Sequence, residues 1–302
     1  MGVQVFVEPA AGEAPILHAI ESAQTSVWVE VYLLTDNNVI HALEDAAQRG
    51  VDARVLLEPN PYGSGATSPQ QTLQESQAAG VQAKDADPAF HYTHEKALII
   101  DGATLFILTA NLTKSGLGGT SYASNREYGV IDTTAADVAE ATNIFQADWQ
   151  RTTPTLTDPN LVVSPVNARA RLHAFIAGAH ATLLVEDEEM VDTQSEDALI
   201  AAAQRGVNVE VILPAPTGSP SSADADVTRL LHGGAHVRYI AIVYMHAKML
   251  LADGQLAFVG SENFSATSLD DNRELGIMIA DPAALATLNQ TFQQDWSSAQ
   301  AA

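Results

Sequence analysis

The second half of this chain restates the first, and a duplicated chain has few folds open to it. Ala46-Ala47-Gln48-Arg49-Gly50-Val51 returns as Ala202-Ala203-Gln204-Arg205-Gly206-Val207. Asn125-Arg126-Glu127 returns as Asn272-Arg273-Glu274, and Phe145-Gln146-Ala147-Asp148-Trp149 as Phe292-Gln293-Gln294-Asp295-Trp296. The offsets are 156, 147 and 147 residues, so the copies differ mainly by loop insertions. Two long copies predict a pseudo-dimer, since solenoids stack many units of roughly 20–45 residues.

Each copy alternates strand and helix signals. Val27–Leu34 is a nearly continuous apolar run, Val39, Ile40, Leu43, Ala46 and Ala47 recur at helical spacing until Gly50, and Ala53–Leu57 returns as a buried strand. The second copy repeats this βαβ pattern with Ala181–Val185, a helix over Glu196–Gln204, and Val207–Leu213. Pro/Gly/Ser-rich stretches follow at Pro59–Pro69 and Pro214–Ser222, at the C-terminal ends of strands, where α/β proteins commonly build sites. The expectation is an α/β fold of two similar βα lobes packed as a pseudo-dimer, with mixed sheets flanked by helices. Residues 1–152 form the first lobe, 153–164 a linker and 165–302 the second lobe.

Composition narrows the partners. With 14 Lys+Arg against 37 Asp+Glu the formal charge is −23, which opposes both a general nucleic-acid coat and adsorption to anionic membranes. The absence of cysteine excludes disulfides, thiolate metal sites and cysteine nucleophiles. No apolar run approaches the ~20 residues that span a bilayer. Gln4–Val7 already reads as a strand, so the chain is expected to be soluble, cytoplasmic or exported with its leader absent from this sequence. Only four lysines are present, Lys84, Lys96, Lys114 and Lys248, and two of them stand two residues after a histidine.

Those two lysines belong to the informative repeat. His94-Glu95-Lys96 with Asp101 five residues on is matched by His246-Ala247-Lys248 with Asp253, and Asn111 and Asn263 each follow their histidine by 17 residues. Positions i and i+2 of a strand share a face, so each histidine projects with its lysine. Asp101-Gly102 and Asp253-Gly254 are hairpin turns between apolar strands, which would return each asparagine beside the His/Lys pair of its own copy. Facing copies then gather two imidazoles, two ammonium groups and two amides around one point. That set suits phosphodiester chemistry: cations and amides hold the phosphoryl oxygens, and imidazoles act as nucleophile and general acid. Glu127 and Glu274 are the candidates for fixing the imidazole tautomers.

The two His-x-Lys-x4-Asp segments, with Gly260-Ser261-Glu262-Asn263 in the second copy, resemble the phospholipase D superfamily over essentially the whole chain. The resemblance implies a metal-independent, two-step mechanism through a phosphohistidine, with no cofactor, His94 as nucleophile and His246 as general acid. Lys96, Lys248, Asn111 and Asn263 match the phosphate-binding positions. The first copy departs from the family's Gly-Ser-x-Asn pattern with Leu108-Thr109-Ala110-Asn111, although Thr109 keeps the hydroxyl of Ser261. Superfamily members include phospholipases, cardiolipin and phosphatidylserine synthases, and nucleases. The expected substrate is a phospholipid-type phosphodiester, with nucleic acid less favoured. A nuclease and a non-catalytic phosphate-binding module are the alternatives. Both half-sites lie on one chain, so a monomer suffices for catalysis.

Other residues carry weaker expectations. Glu30, Tyr32 and Glu186, at strand ends, are candidate substrate contacts, and His91 a candidate for the site's rim. Arg126 and Arg273 either clamp phosphate or pair with acids. Asp101 and Asp253 fit their turns with or without catalysis. No metal site is expected from Asp85-x-Asp87, Asp224-x-Asp226 or the acidic run at 186–189. In that run only Glu186 is aligned with the site, and the other acids are read as solvated.

Overall fold

The computed structural model describes residues 2–63, 68–119, 124–216 and 222–302. The tips of the two Pro/Gly/Ser-rich loops, 64–67 and 217–221, and the Asp224 side chain lie outside that description. The first half runs β1 (Gln4–Glu8), α1 (Ala14–Ser22), β2 (Ser26–Val31), α2 (Asn37–Gln48), β3 (Asp52–Leu57), α3 (Pro69–Ala78), β4 (Gln82–Asp85), β5 (Lys96–Ile100), β6 (Thr104–Leu108), β7 (Asn125–Asp132) and α4 (Ala135–Gln150). The second half runs β8 (Leu161–Ser164), α5 (Ala168–Ala177), β9 (Thr182–Asp187), α6 (Thr193–Gln204), β10 (Asn208–Pro214), α7 (Ser222–His232), β11 (His236–Ile240), β12 (Tyr244–Met245), β13 (Lys248–Ala252), β14 (Leu256–Gly260), α8 (Ala266–Asp270), β15 (Glu274–Ile279), α9 (Pro282–Ser298) and β16 (Gln300–Ala301).

The repeated helices begin and end for the same local reasons. The Asp36 carboxylate caps α2 by accepting from the Asn38 and Val39 N–H groups, and Asp192 caps α6 by accepting from Ser195 N–H. Val39, Leu43 and Ala46 on α2, and Leu199 and Ala202 on α6, are the buried stripes. Each helix stops at a left-handed glycine, Gly50 (φ 88°) or Gly206 (φ 93°).

Two mixed sheets result, in the orders β1-β7-β6-β5-β2-β3-β4 and β16-β11-β10-β9-β13-β14-β15-β8. The parallel pairs are β2/β3/β4 and β9/β10/β11, while β5 and β13 run antiparallel to β2 and β9. Alternation along the central strands divides the core. On β5, Leu98 and Ile100 face the cluster under α1 and α2, whereas Ala97 and Ile99 face a cluster shared by the lobes. The shared cluster joins Leu105 and Val130 of the first half to Met249, Val259 and Ile277 of the second, with Phe145 of α4 and Phe292 of α9. The lobes are therefore fused through a continuous hydrophobic layer.

Two arginines, Arg273 buried and Arg126 partly buried, also cross between the halves. Arg273 contacts Asp148 of α4 through Nε (2.8 Å) and Nη2 (2.9 Å), and donates from Nη1 to the Ser164 carbonyl (3.0 Å). Arg126 holds Asp295 of α9 through Nε (2.5 Å) and Nη2 (2.9 Å) and donates to the Glu8 carbonyl. Both arginines are thus committed to pairing with acids, the second of the two roles open to them from sequence. Removing one partner of a buried pair strands the other charge, at a cost of about 3–5 kcal/mol. Arg273→Leu is expected to lower unfolding free energy by about that much in urea titrations, with Arg273→Leu/Asp148→Leu recovering most of the loss.

Candidate active site

The segment before each His-x-Lys pairs with the Asn-Arg-Glu segment of the other copy. Strand β12 adds parallel to β7 of the first sheet, placing Tyr244 opposite Asn125 and Met245 opposite Arg126. Reciprocally, Thr93 forms a parallel bridge with Arg273. His94 N–H and Glu95 N–H donate to the Arg273 carbonyl (2.8 and 2.9 Å), and Arg273 N–H donates to the Tyr92 carbonyl (2.9 Å). His246 N–H donates to the Arg126 carbonyl at 3.3 Å. This exchange carries each glutamate across to the opposite histidine.

Glu274 accordingly holds His94 Nδ1 at 2.9 and 3.0 Å, and Glu127 holds His246 Nδ1 at 2.7 Å. Both carboxylates are fully buried and braced from their own copy. Glu127 accepts from Thr109 Oγ1 (2.6 Å) and Asn125 Nδ2 (3.0 Å), and Glu274 from Ser268 Oγ (2.7 Å) and Asn272 Nδ2 (2.9 Å). Thr109 and Ser261, both fully buried, accept backbone N–H bonds from Tyr128 (2.9 Å) and Leu275 (3.1 Å). Thr109 thereby braces Glu127, and Ser261 hydrogen-bonds Glu274. Asn125, Asn272 and Ser268 are supporting residues that the sequence reading missed, though the repeated Asn-Arg-Glu carried the signal for the two asparagines.

His94, His246, Asn111 and Asn263 line one cavity of about 510 Å³, together with Tyr32, Tyr62, His91, Tyr92, Glu188 and Glu189. Asn111 and Asn263 line the cavity, and the Oδ1 atom of each is buried without a hydrogen-bond partner. The lysines lie deeper than the imidazoles. Lys96 Nζ donates to the His94 carbonyl and Lys248 Nζ to the His246 carbonyl (2.7 Å).

Burial brings the His94 imidazole down to about 4 against the opposing pull of Glu274, and Lys96 adds to the fall. Burial likewise brings the Lys96 ammonium down to about 7, opposed by Glu274 and deepened by Lys248. For Lys248 the burial penalty is outweighed by Glu188, Glu127 and Asp187, which hold it above the ordinary lysine value. Burial also opposes the charges of Glu127 and Glu274, yet His246 and His94 respectively hold them below the ordinary carboxylate value.

The largest difference between the half-sites is at positions 32 and 188, which correspond at the 156-residue offset. In the first, the Tyr32 ring stands edge-on to His94 at 4.7 Å and below Lys96 Nζ at 5.5 Å. In the second, the Glu188 carboxylate sits 3.3 Å from His246 Nε2 and 3.0 Å from Lys248 Nζ, and accepts from Tyr244 Oη at 3.1 Å. Burial opposes the Glu188 charge, but His246 and Lys248 hold its carboxyl well below the ordinary range. Glu188 thus belongs to the site, and Glu189 lines it, where the sequence reading left both in solvent. Aligning Glu188 with Tyr32 would have found it.

Four expected site residues lie elsewhere. Asp101 and Asp253 close left-handed turns (φ 54° each) at the far ends of β5 and β13, roughly 16 Å along the strand from the lysines. Asp101 accepts from the N–H groups of Gln24, Thr25 and Ser26 (2.7–3.0 Å), and Asp253 from those of His180, Ala181 and Thr182 (2.7–3.0 Å). They anchor the start of β2 and β9 and touch no reacting atom. Glu30 and Glu186 are fully buried behind the cavity and do not line it. Glu186 accepts from Tyr128 Oη at 2.5 Å, while Glu30, Glu95 and Asp148 bring oxygens within 4.8 Å of one another beside Arg273. That trio could hold a cation among the described residues, but Arg273 already supplies a positive charge there. Burial, then Asp148, pushes Glu95 up to about 8. Tyr32 and His91 do line the cavity, as expected.

Fold and site together define a duplicated enzyme in which two histidines line one cavity. Residues 16–149 and 172–296 match the family described as cardiolipin synthase, PLD-like domain. The chain is 25% identical over 312 residues to the minor cardiolipin synthase ClsB of Bacillus subtilis, covering 93% of this chain and 77% of that protein. It is 24% identical over 317 residues to the probable cardiolipin synthase YwiE of the same organism, covering 93% and 63%. Against cardiolipin synthase A of Yersinia pseudotuberculosis it is 25% identical over 329 residues, covering 93% and 66%. It spans about two thirds of the length of these last two relatives. Its fold is that of the phosphatidylserine synthase of Haemophilus influenzae (TM-score 0.77, 13% identity, 99% of this chain and 87% of that one). The polyphosphate kinase of Porphyromonas gingivalis shares it too (TM-score 0.76, 13% identity, 97% and 50%). The chain belongs to the phospholipase D-like family of cardiolipin synthase type, a class of phosphodiesterase and phosphatidyltransferase enzymes.

Asp101→Ala is expected to cost about 1.5–3 kcal/mol of stability, the usual range for hydrogen bonds to a charged acceptor, while kcat stays within about threefold. Backbone N–H bonds hold the Asp101 carboxyl below its ordinary value, outweighing desolvation. Its contribution is therefore full above about pH 4 and is lost as pH falls through the folded-state value. Urea titrations of both proteins between pH 2 and pH 7 check this.

Proposed function

We propose that this chain catalyses hydrolysis or phosphatidyl transfer at a phospholipid-type phosphodiester, in two steps through a phosphohistidine on His94 and without a metal ion. The observation that carries the reading is the pair of imidazoles facing one cavity, each with Nδ1 on a buried carboxylate from the other copy. That tether makes Nε2 the reacting nitrogen of each ring, with the Glu188 carboxylate 3.3 Å from that of His246. His94 Nε2 donates its lone pair to phosphorus, the bond to the leaving oxygen breaks, and His246 gives that oxygen its proton. In the second step His246 takes the proton of water or an acceptor alcohol, the new oxygen bonds to phosphorus, and the P–N bond breaks.

The division of roles follows the Tyr32/Glu188 difference. His94, buried against an aromatic ring and held neutral at pH 7, keeps the lone pair a nucleophile needs. His246 has a carboxylate at each ring nitrogen, an arrangement that suits a ring donating through both. Lys96 and Lys248 supply positive charge, and the Nδ2 groups of the cavity-lining Asn111 and Asn263 supply donors, for the phosphoryl oxygens, the task a metal would otherwise perform. Both half-sites come from one chain, so a monomer is sufficient. The names of the relatives favour a lipid, and beyond the two central lysines no Lys or Arg among the described residues lines the cavity to hold the neighbouring phosphates of a nucleic-acid strand.

His94→Ala should abolish an acid-labile protein adduct in quench experiments with labelled phosphodiester and lower kcat at least about 10³-fold. His246→Asn should cost about 10²–10⁴-fold with an alkyl leaving group and far less with p-nitrophenol, which leaves without a proton. Glu188→Gln should show the same dependence on leaving group in weaker form. Turnover with no adduct on His94 would overturn the assignment, and activity lost to chelator and restored by zinc or magnesium would overturn the metal-free scheme.

The pH profile follows from the shifted groups. Wild-type kcat/KM should rise through about pH 4 as His94 loses its proton, and fall above about pH 7 as Lys96 loses its charge. A panel of phosphatidylcholine, phosphatidylglycerol, single-stranded DNA and a chromogenic diester decides the substrate class. Cleavage of DNA with both lipids untouched would contradict the lipid reading.

A further inference from the structure

The second half-site already contains an anion. A single oxygen, Glu188 Oε2, lies 3.0 Å from Lys248 Nζ and 3.3 Å from His246 Nε2, the two nitrogens that a phosphoryl group would meet on this side. Tyr244 Oη pins the other carboxylate oxygen, Oε1, at 3.1 Å. Glu188 lines the cavity beside His246, so its carboxylate stands in the space a ligand enters and not behind it. In the first half-site the corresponding residue is Tyr32, whose uncharged ring lies 5.5 Å from Lys96 Nζ. The two ammonium groups are therefore surrounded by three carboxylates, Glu127 and Glu274 beneath the imidazoles and Glu188 on the cavity side.

We propose that Glu188 determines specificity by charge: it takes the place of one phosphoryl oxygen between Lys248 and His246, so that the site accepts a singly charged phosphodiester and rejects a doubly charged phosphomonoester. The inference rests on the phosphodiester reading above and adds which phosphates the centre excludes. Without Glu188, two ammonium groups would face two carboxylates already committed to imidazoles, a setting that attracts a dianion at least as well as a monoanion. With it, Lys248 and His246 are paired in the resting site. An incoming phosphoryl group then finds its remaining donors at Lys96 and at the Nδ2 groups of Asn111 and Asn263. One negative charge can be met there. A second meets a pinned carboxylate with no cation left to offset it, and selectivity by such a repulsive element needs no new contact to the favoured ligand. Hydrolysis turns a diester into a monoester, so the same carboxylate favours release of the product.

The test uses two ligands that differ by one methyl group and one charge, methyl phosphate and dimethyl phosphate, at pH 8, where a phosphomonoester carries about two charges. Phosphorus NMR titrations give both dissociation constants and reveal any turnover, and circular dichroism checks the fold of each variant. Wild type is expected to bind dimethyl phosphate more tightly than methyl phosphate. Glu188→Gln should tighten methyl phosphate at least tenfold and dimethyl phosphate by about the square root of that factor, since the interaction scales with ligand charge. Glu188→Ser should do the same, which separates the charge from the hydrogen bonds a glutamine keeps. Wild type that prefers methyl phosphate overturns the proposal, as do variants that bind it no more tightly or that tighten both ligands equally. A wild type that discriminates as expected but turns over no phosphodiester sinks the catalytic reading and leaves the charge selection standing.

Discussion

Everything in this molecule depends on a reciprocal exchange across the pseudo-twofold interface. Each Asn-Arg-Glu segment works for the other half. Its backbone pairs with the strand leading to the opposite histidine, its arginine holds the aspartate of the opposite C-terminal helix, and its glutamate orients the opposite imidazole. The asparagine donates to the glutamate beside it, and Asn272 also accepts from the Tyr92 N–H of the other half at 3.2 Å. Neither half holds Nδ1 of its own active-site histidine, so the site exists only when the shared hydrophobic layer has closed. Assembly of the core and assembly of the chemistry are the same event.

Symmetry of framework has not meant symmetry of chemistry. Glu95 stands where the second copy has Ala247, and Tyr128 where it has Leu275. These differences are complementary. Tyr128 reaches across to Glu186, and the small Ala247 leaves room on that side, whereas Glu95 fills the matching space beside Glu30. Nearer the cavity, Tyr32 and Glu188 surround two otherwise equivalent His/Lys pairs with an aromatic ring in one case and a carboxylate in the other. The low position of Lys96 and the raised position of Lys248 follow from that contrast. Duplication supplied two identical groups, and substitution at one pair of positions made their environments unlike.

Much of this was legible in the sequence because the duplication gave every motif an internal control. The βαβ units, the hairpins and the convergence of His94, His246, Asn111 and Asn263 followed from spacing alone. The crossing of the glutamates did not, since pairing within a copy and pairing between copies satisfy the same spacing, and only the exchanged strand pairs decide. Glu30 and Glu186 were misplaced by depth, not by face. Alternation puts Glu30 and Tyr32 on one side of β2, but only Tyr32, beyond the last residue of the strand, reaches the cavity. Asp101 and Asp253 sit beside the lysines in the motif and at the opposite end of the strand in space. A five-residue strand separates neighbours in a pattern by its full length.

The exchange is tested most directly by proton NMR of the imidazole Nδ1–H resonances, which move far downfield when bonded to a buried carboxylate. Glu274→Gln should remove the downfield signal of His94 and leave that of His246, and Glu127→Gln should do the reverse. If Glu274→Gln instead removed the His246 signal and spared that of His94, each copy would be orienting its own histidine, and the composite site described here would be wrong.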